Sequence, residues 1–293
     1  MNDPLLVATY YTLAGKVYPG GPDNSPFPFR RRAEAAAAAG YRGIGVSGYD
    51  LEASLARYGR VGMRAILDDA GLEFFEVECL TNWFADGEAR QVSDAMRQLW
   101  LDTAVDLGTN HIKVVGDLSG SGVSYERMAE EFARFCEEAR PAGVRLSLEI
   151  FPEANINDIN KGRRLMELVN IDENPNGGLL VDIWHITRPG ISYDQIAALP
   201  VSYIAHVELD DAAPVMVGSF FEDTTYRRLL PGEGCFDVPA FLRAIARTGY
   251  DGPYGVEILS EMIRAMEPEE AARRSFDATM KQFRRLGDSV DRG

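Results

Sequence analysis

The chain has 293 residues, 46% of them hydrophobic, and carries 45 acidic against 30 basic side chains for a formal net charge of −15. That balance speaks against nucleic-acid partners, whose binding rests on neutralising phosphates with Lys and Arg, and the apolar content speaks against a disordered chain. No apolar run reaches the ~18 residues a membrane span needs, and the opening MNDPLLVATYY lacks the basic and apolar regions of a secretory leader. Cys79, Cys136 and Cys235 are odd in number, widely spaced and without a CxxC pair. They read as free, buried thiols of a chain kept in a reducing cytoplasm.

Strand and helix signals alternate along the whole length. Short apolar runs predict strands at Leu5–Tyr11, Arg42–Val46, Glu73–Cys79, His111–Val115, Val144–Ile150, Gly178–Asp182, Tyr203–Val207 and Tyr254–Ile258. Between them lie helical patterns. Val92, Met96 and Leu99 recur at helical spacing, and Gly108 stands where a helix stops. Ser124 is a candidate cap for a helix whose apolar face is Met128, Phe132, Phe135 and Cys136. Asp237 with Pro239 starts a helix that Gly249 ends, and a last helix follows Pro268 and closes in a frayed DSVDRG tail. Eight strands alternating with helices imply parallel pairing with right-handed crossovers. The expected fold is therefore α/β, a single (β/α)8 TIM barrel over residues 1–293. An open doubly wound sheet is less apt, because no GxGxxG follows the first strand. Two long loops, Ala14–Phe29 and Asp210–Gly234, follow strands and so fall on the face where barrels build their sites.

Four residues stand where expected strands end: Glu149 in RLSLEIF, Asp182 in GLLVDIWH, His206 in SYIAHVEL and Glu257 in YGVEIL. A charged side chain at the end of a buried strand costs free energy unless it is paired or ligated. Three carboxylates and an imidazole converging there predict one divalent-metal site with room for substrate. By hardness the set favours Mn2+, Co2+ or Mg2+, and the Irving–Williams order admits Zn2+. Each member has a plainer alternative: Glu149 paired with Lys113, Asp182 capping a turn, His206 hydrogen-bonded in the core, Glu257 in a salt bridge. The joint pattern is more specific than any one of them. His185, three residues after Asp182, is placed to bond a substrate oxygen rather than the ion. His111 reads as structural. Trp184 could stack on a ring, as could Tyr10, Tyr11 and Trp83. Lys113, Arg227 and Arg228 are the cations within reach of a substrate, and Arg227 is taken as the substrate-binding one of its pair. With Glu153 adding a carboxylate at the rim, an uncharged or singly charged small molecule is expected. Self-association into a homo-oligomer is compatible with all of this.

The order LEIFP…N, GLLVDIWH, AHVELDD, LPGEG-F-D and YGVEIL resembles the sugar phosphate isomerase/epimerase family, the xylose-isomerase-like TIM barrels. The resemblance implies a metal-dependent isomerase or epimerase of carbohydrate metabolism, working on a polyhydroxy carbonyl compound through an enediolate. It implies Glu149, Asp182, His206 and Glu257 as ligands of Mn2+, Mg2+ or Co2+, with Glu149 and Glu257 moving protons and His185 assisting. A lyase on the same enediolate, like the inosose and 3-dehydroshikimate dehydratases of that family, is the second implication. The chain departs from the family after His206, where VELDDA replaces the usual continuations.

Overall fold

In the computed structural model, which describes residues 4–290 and side chains as far as residue 286, eight parallel strands close on themselves in sequence order. They are β1 (Leu6–Ala8), β2 (Gly43–Ser47), β3 (Phe74–Leu80), β4 (Thr109–Val115), β5 (Arg145–Glu149), β6 (Leu179–Asp182), β7 (Ile204–Leu209) and β8 (Tyr254–Val256). Closure is completed by β1 pairing with β8, Val7 opposite Gly255. The single barrel is the fold expected from the alternation of elements.

Outward-facing residues such as Val77, Ile112, Leu146, Leu148, Val181 and Val207 are buried with the helices in one continuous apolar cluster. The helix starts follow from their caps. Ser124 accepts from Arg127 N at 3.1 Å, and Asp237 accepts from Ala240 N at 2.9 Å. Gly108 closes its helix at φ 69°, a left-handed turn that only glycine adopts without strain. Helix Gly87–Leu107 buries Ser93, Trp100, Thr103, Ala104 and Leu107, while Val92 is exposed. The buried stripe is thus rotated from the one that Val92, Met96 and Leu99 suggested.

Three further expectations need correction. β1 ends at Ala8, and Tyr10–Leu13 forms a helical turn, because the Glu78 carboxylate captures Tyr10 N at 2.7 Å. β7 runs two residues beyond Val207, to Leu209. All three cysteines are free, but Cys136 alone is buried while Cys79 and Cys235 are exposed. The last helix extends to Val290, so only the final residues of the expected frayed tail lie outside those described. Among the described residues, no helix is long and apolar enough to cross a membrane.

Candidate active site and metal centre

The inside of this barrel is polar. Strand side chains alternate between faces, so inward positions on one strand fall in successive layers, two residues apart. At the carboxyl end, Glu149 of β5, Asp182 of β6, Glu208 of β7 and Glu257 beyond β8 bring one oxygen each within 4.8 Å of one another. Asp182 and Glu208 are neighbours in the β6–β7 register. Asp182 and Glu208 are 0% exposed, Glu257 6% and Glu149 9%, so the opening lies on the Glu149–Glu257 side.

Two cations neutralise part of this charge. Arg228, 2% exposed, donates to Asp182 Oδ2 at 2.7 Å and Asp210 Oδ2 at 2.5 Å, and lies 3.1 Å from Glu257 Oε2. Its other amino group donates to Thr224 Oγ1 at 2.8 Å and to His185 Nε2 at 3.1 Å. An arginine can only donate, so Nε2 of His185 accepts and the ring proton is on Nδ1. That Nδ1 lies 3.0 Å from Glu149 Oε1. Thr224 and Arg228 reach the site because Asp211 folds the loop behind them, accepting from the backbone amides of Gly232, Gly234 and Phe236 at 2.9, 3.0 and 2.9 Å. Lys113, from β4, sits deeper on the barrel axis. Its ammonium contacts Glu208, Glu78 at 2.8 Å, Glu76 at 3.2 Å and Glu257 at 3.6 Å.

The electrostatics follow from this crowding. Burial, with Glu257, Asp182 and Glu149 close by, pushes the Glu208 carboxyl well above its ordinary range despite Lys113. Burial and the Glu257 and Glu76 charges raise Glu78 to about 8 against the pull of Lys113. Burial, with Asp182 and Glu257 nearby, raises Asp210 in the same way, against Arg228. Burial opposes ionisation of Asp182 too, but Arg228 and His185 hold its carboxyl low. Oε2 of Glu208 and Oδ1 of Asp210 are buried without a hydrogen-bond partner. Four crowded hard oxygens, with Oε2 of Glu208 left buried and unpartnered among them, are what a hard divalent cation relieves, so the mouth cluster fits such an ion.

The structure brings together Glu149, Asp182 and Glu257 as the sequence suggested, and His185 beside them. His206 is not with them. It lies one layer below, its Nε2 3.4 Å from Glu76 Oε2, and Glu208 stands in the position expected for it. The reason is the two extra residues of β7, which move the last inward position from residue 206 to 208. The expected substrate contacts also change. Trp184 is 1% exposed and packs edge-on against His185 and Phe220, under the Arg228 guanidinium. Lys113 is 2% exposed and bound to carboxylates. Arg227 is exposed, while its neighbour Arg228 turns into the site. Glu153 is exposed, and Trp83 is buried with its indole donating to Val115 O at 2.8 Å. Glu208, Asp210 and Glu78 were missed, although the alternation in HVELD carried the first two. A cavity of about 210 Å3 beside Glu78 is walled by Tyr10, Tyr11, Tyr18 and Tyr49 and has no Lys or Arg in its lining.

The sequence profile of the xylose isomerase-like TIM barrel matches residues 33–282. A 3-dehydroshikimate dehydratase of Pseudomonas aeruginosa is 27% identical over 242 residues, covering 79% of this chain and 36% of that protein. An inosose isomerase of Halalkalibacterium halodurans is 26% identical over 147 residues, 50% of each. The matches thus span 36% of the first relative and 50% of the second. Among solved structures, a xylose isomerase-like TIM barrel/4-hydroxyphenylpyruvate dioxygenase fusion protein superposes with a TM-score of 0.83 at 20% identity, over 99% of this chain and 44% of that one. The IOLI protein with a binding zinc atom gives 0.81 at 18% identity, over 94% and 97%. At those identities the two structures speak for the fold. The profile covers most of the chain, which therefore belongs to the xylose isomerase-like TIM barrel family.

Proposed function

We propose that this chain is a metal-dependent sugar isomerase or epimerase that moves a proton beside the carbonyl of a small, uncharged polyhydroxy compound. The observation that carries the reading is the convergence of Glu149 and Glu257 with Asp182 and Glu208 within 4.8 Å at the open end of the barrel. Those four would hold one divalent ion, which supplies Lewis-acid stabilisation of negative charge on substrate oxygens. One of the two accessible carboxylates, Glu149 or Glu257, takes the C–H proton and leaves an enediolate. The other returns a proton to the same carbon or its neighbour, so the substrate is rearranged with no net loss of atoms. His185, fixed by Arg228 at Nε2, keeps its protonated Nδ1 3.0 Å from Glu149 Oε1, close enough to respond to charge on that carboxylate. Arg228 holds Asp182, Asp210 and Glu257 in place. The tyrosine-walled cavity without a cation suits a neutral ring or chain of hydroxyls.

A dehydratase is the second reading, favoured by the 27% identity to a 3-dehydroshikimate dehydratase over 79% of this chain. It shares the first proton abstraction and then expels a β-hydroxyl as water. A substrate panel in D2O with added Mn2+ separates the two. Solvent deuterium in a recovered sugar supports isomerisation or epimerisation, and a new conjugated chromophore supports dehydration. Turnover of a substrate that survives complete chelation would end both.

A further inference from the structure

Below the mouth, on the barrel axis, lies a second group of donors that the proposed reaction does not use. Glu76 of β3, His111 of β4 and His206 of β7 place ligand atoms within 4.8 Å of one another, at exposures of 0%, 2% and 0%. Glu76 Oε2 is 3.4 Å from His111 Nδ1 and 3.4 Å from His206 Nε2. Strong hydrogen bonds of a carboxylate are shorter, at about 2.7–2.9 Å. A tetrahedral ion with bonds of about 2.0–2.2 Å instead sets its ligands roughly 3.3–3.5 Å apart. The two Glu76–imidazole separations are those of ligands around an ion, and the three donors lie within 4.8 Å of one another.

Three further observations agree. Both nitrogens of His206 are buried without a hydrogen-bond partner, an expensive state for a polar group in a closed interior, while His111 reaches Glu76 through Nδ1 only by a long 3.4 Å contact. The adjoining strands present no side chain here: a Cβ on Gly255 would lie 2.9 Å from His206 Nε2, and one on Gly45 would lie 2.9 Å from Glu76 Oε1. The Phe74 ring stacks on His206 with planes 4° apart and fixes its orientation. Charge permits an ion as well. Glu76, Glu78, Glu149, Asp182, Glu208, Asp210 and Glu257 line or flank the axis, and the buried cations among them are Lys113 and Arg228. Lys113 lies 3.2 Å from Oε1 of Glu76, while Oε2 faces the imidazoles.

We propose that Glu76, His111 and His206 form a second metal site, in which two imidazoles and one carboxylate hold Zn2+ beneath the mouth. Because every donor is at most 2% exposed, an ion enters as the barrel closes and leaves only when it opens. The test is zinc content before and after EDTA treatment of native protein purified from zinc-supplemented cells. One equivalent per chain should survive EDTA in the wild type and be lost in His206→Gln and in Glu76→Gln. It should persist in the mouth variant Glu149→Gln/Glu257→Gln, so failure here is separable from failure of the mouth as a metal centre. X-ray absorption of the EDTA-resistant ion gives a readout that needs no variant in the floor. With three histidines in the chain, imidazole scattering that survives His185→Gln comes from His111 and His206. No zinc left after EDTA, a resistant ion without imidazole scattering, or one that survives His206→Gln overturns the proposal.

Discussion

The mouth and the floor of the barrel are built from the same strands, two residues apart, yet they are chemically unlike. β3 gives Glu76 to the floor and Glu78 to the layer above, β4 gives His111 and then Lys113, and β7 gives His206 and then Glu208. The floor has one carboxylate between two imidazoles, closed from solvent. The mouth has four carboxylates, two of them partly exposed, braced by Arg228. A pleat of period two thus lets one strand serve two environments, and a slip of one layer exchanges them.

The contrast breaks most severely at Arg228. Removing its guanidinium leaves Asp182 and Asp210, both 0% exposed, without their cation. Arg228→Ala should lower unfolding free energy by about 3–5 kcal/mol, the usual cost of breaking a buried pair. Denaturant titration checks this. A loss below about 1 kcal/mol would mean that the two carboxyls are already neutral, and that the mouth is less charged than its geometry implies.

Next in size is the chemistry at the rim. Glu257→Gln keeps an oxygen donor and the side-chain volume but removes the proton acceptor. Turnover of whatever substrate the panel identifies should fall by at least ~10², with the fold intact by circular dichroism. Glu149→Gln should behave alike. If either variant retains full turnover, the mouth holds charge but does not move protons.

His185 sharpens the comparison from behind. It touches Glu149 and Arg228 but is 1% exposed, so it acts on substrate through Glu149. His185→Asn should lower turnover about 10–100-fold while leaving zinc or manganese content near the wild-type value. Loss of the ion in that variant would place His185 among the ligands.

The barrel and the chemistry of its mouth were legible in the sequence because both are periodic. Eight apolar runs, three of them with Glu149, Asp182 and Glu257 at or just past their ends, require only that strands be buried and that charges sit where they can be reached. What the sequence misplaced was depth. In HVELD, residues 206, 208 and 210 share a parity, and no local signal says which is the last to face the axis. That depends on where β7 stops pairing with β6 and β8, and the pairing carries on to Glu208 opposite Asp182 and Leu209 opposite Val256. The choice between Arg227 and Arg228 failed for a similar reason. Helix Phe220–Tyr226 ends just before the pair, and the bridge of Arg227 to Ser260 turns Arg228 inward. Both facts are tertiary.

The pair also supplies the smallest and most discriminating prediction. The two arginines are adjacent in sequence and of one chemistry, and they differ only in direction. Arg227 is exposed and its backbone, not its side chain, makes the bridge to Ser260, so Arg227→Ala should shift stability by no more than about 0.5 kcal/mol. For an uncharged substrate it should also leave kcat/KM unchanged. The informative comparison is between a free sugar and its phosphate ester as salt is raised. An ester preference that fades with salt and disappears in Arg227→Ala would show that the exposed arginine, not the buried one, meets the substrate, because screening acts on exposed charges. Equal kcat/KM in wild type and variant for both compounds would leave the tyrosine-walled cavity, which has no cation in its lining, as the surface that selects the substrate.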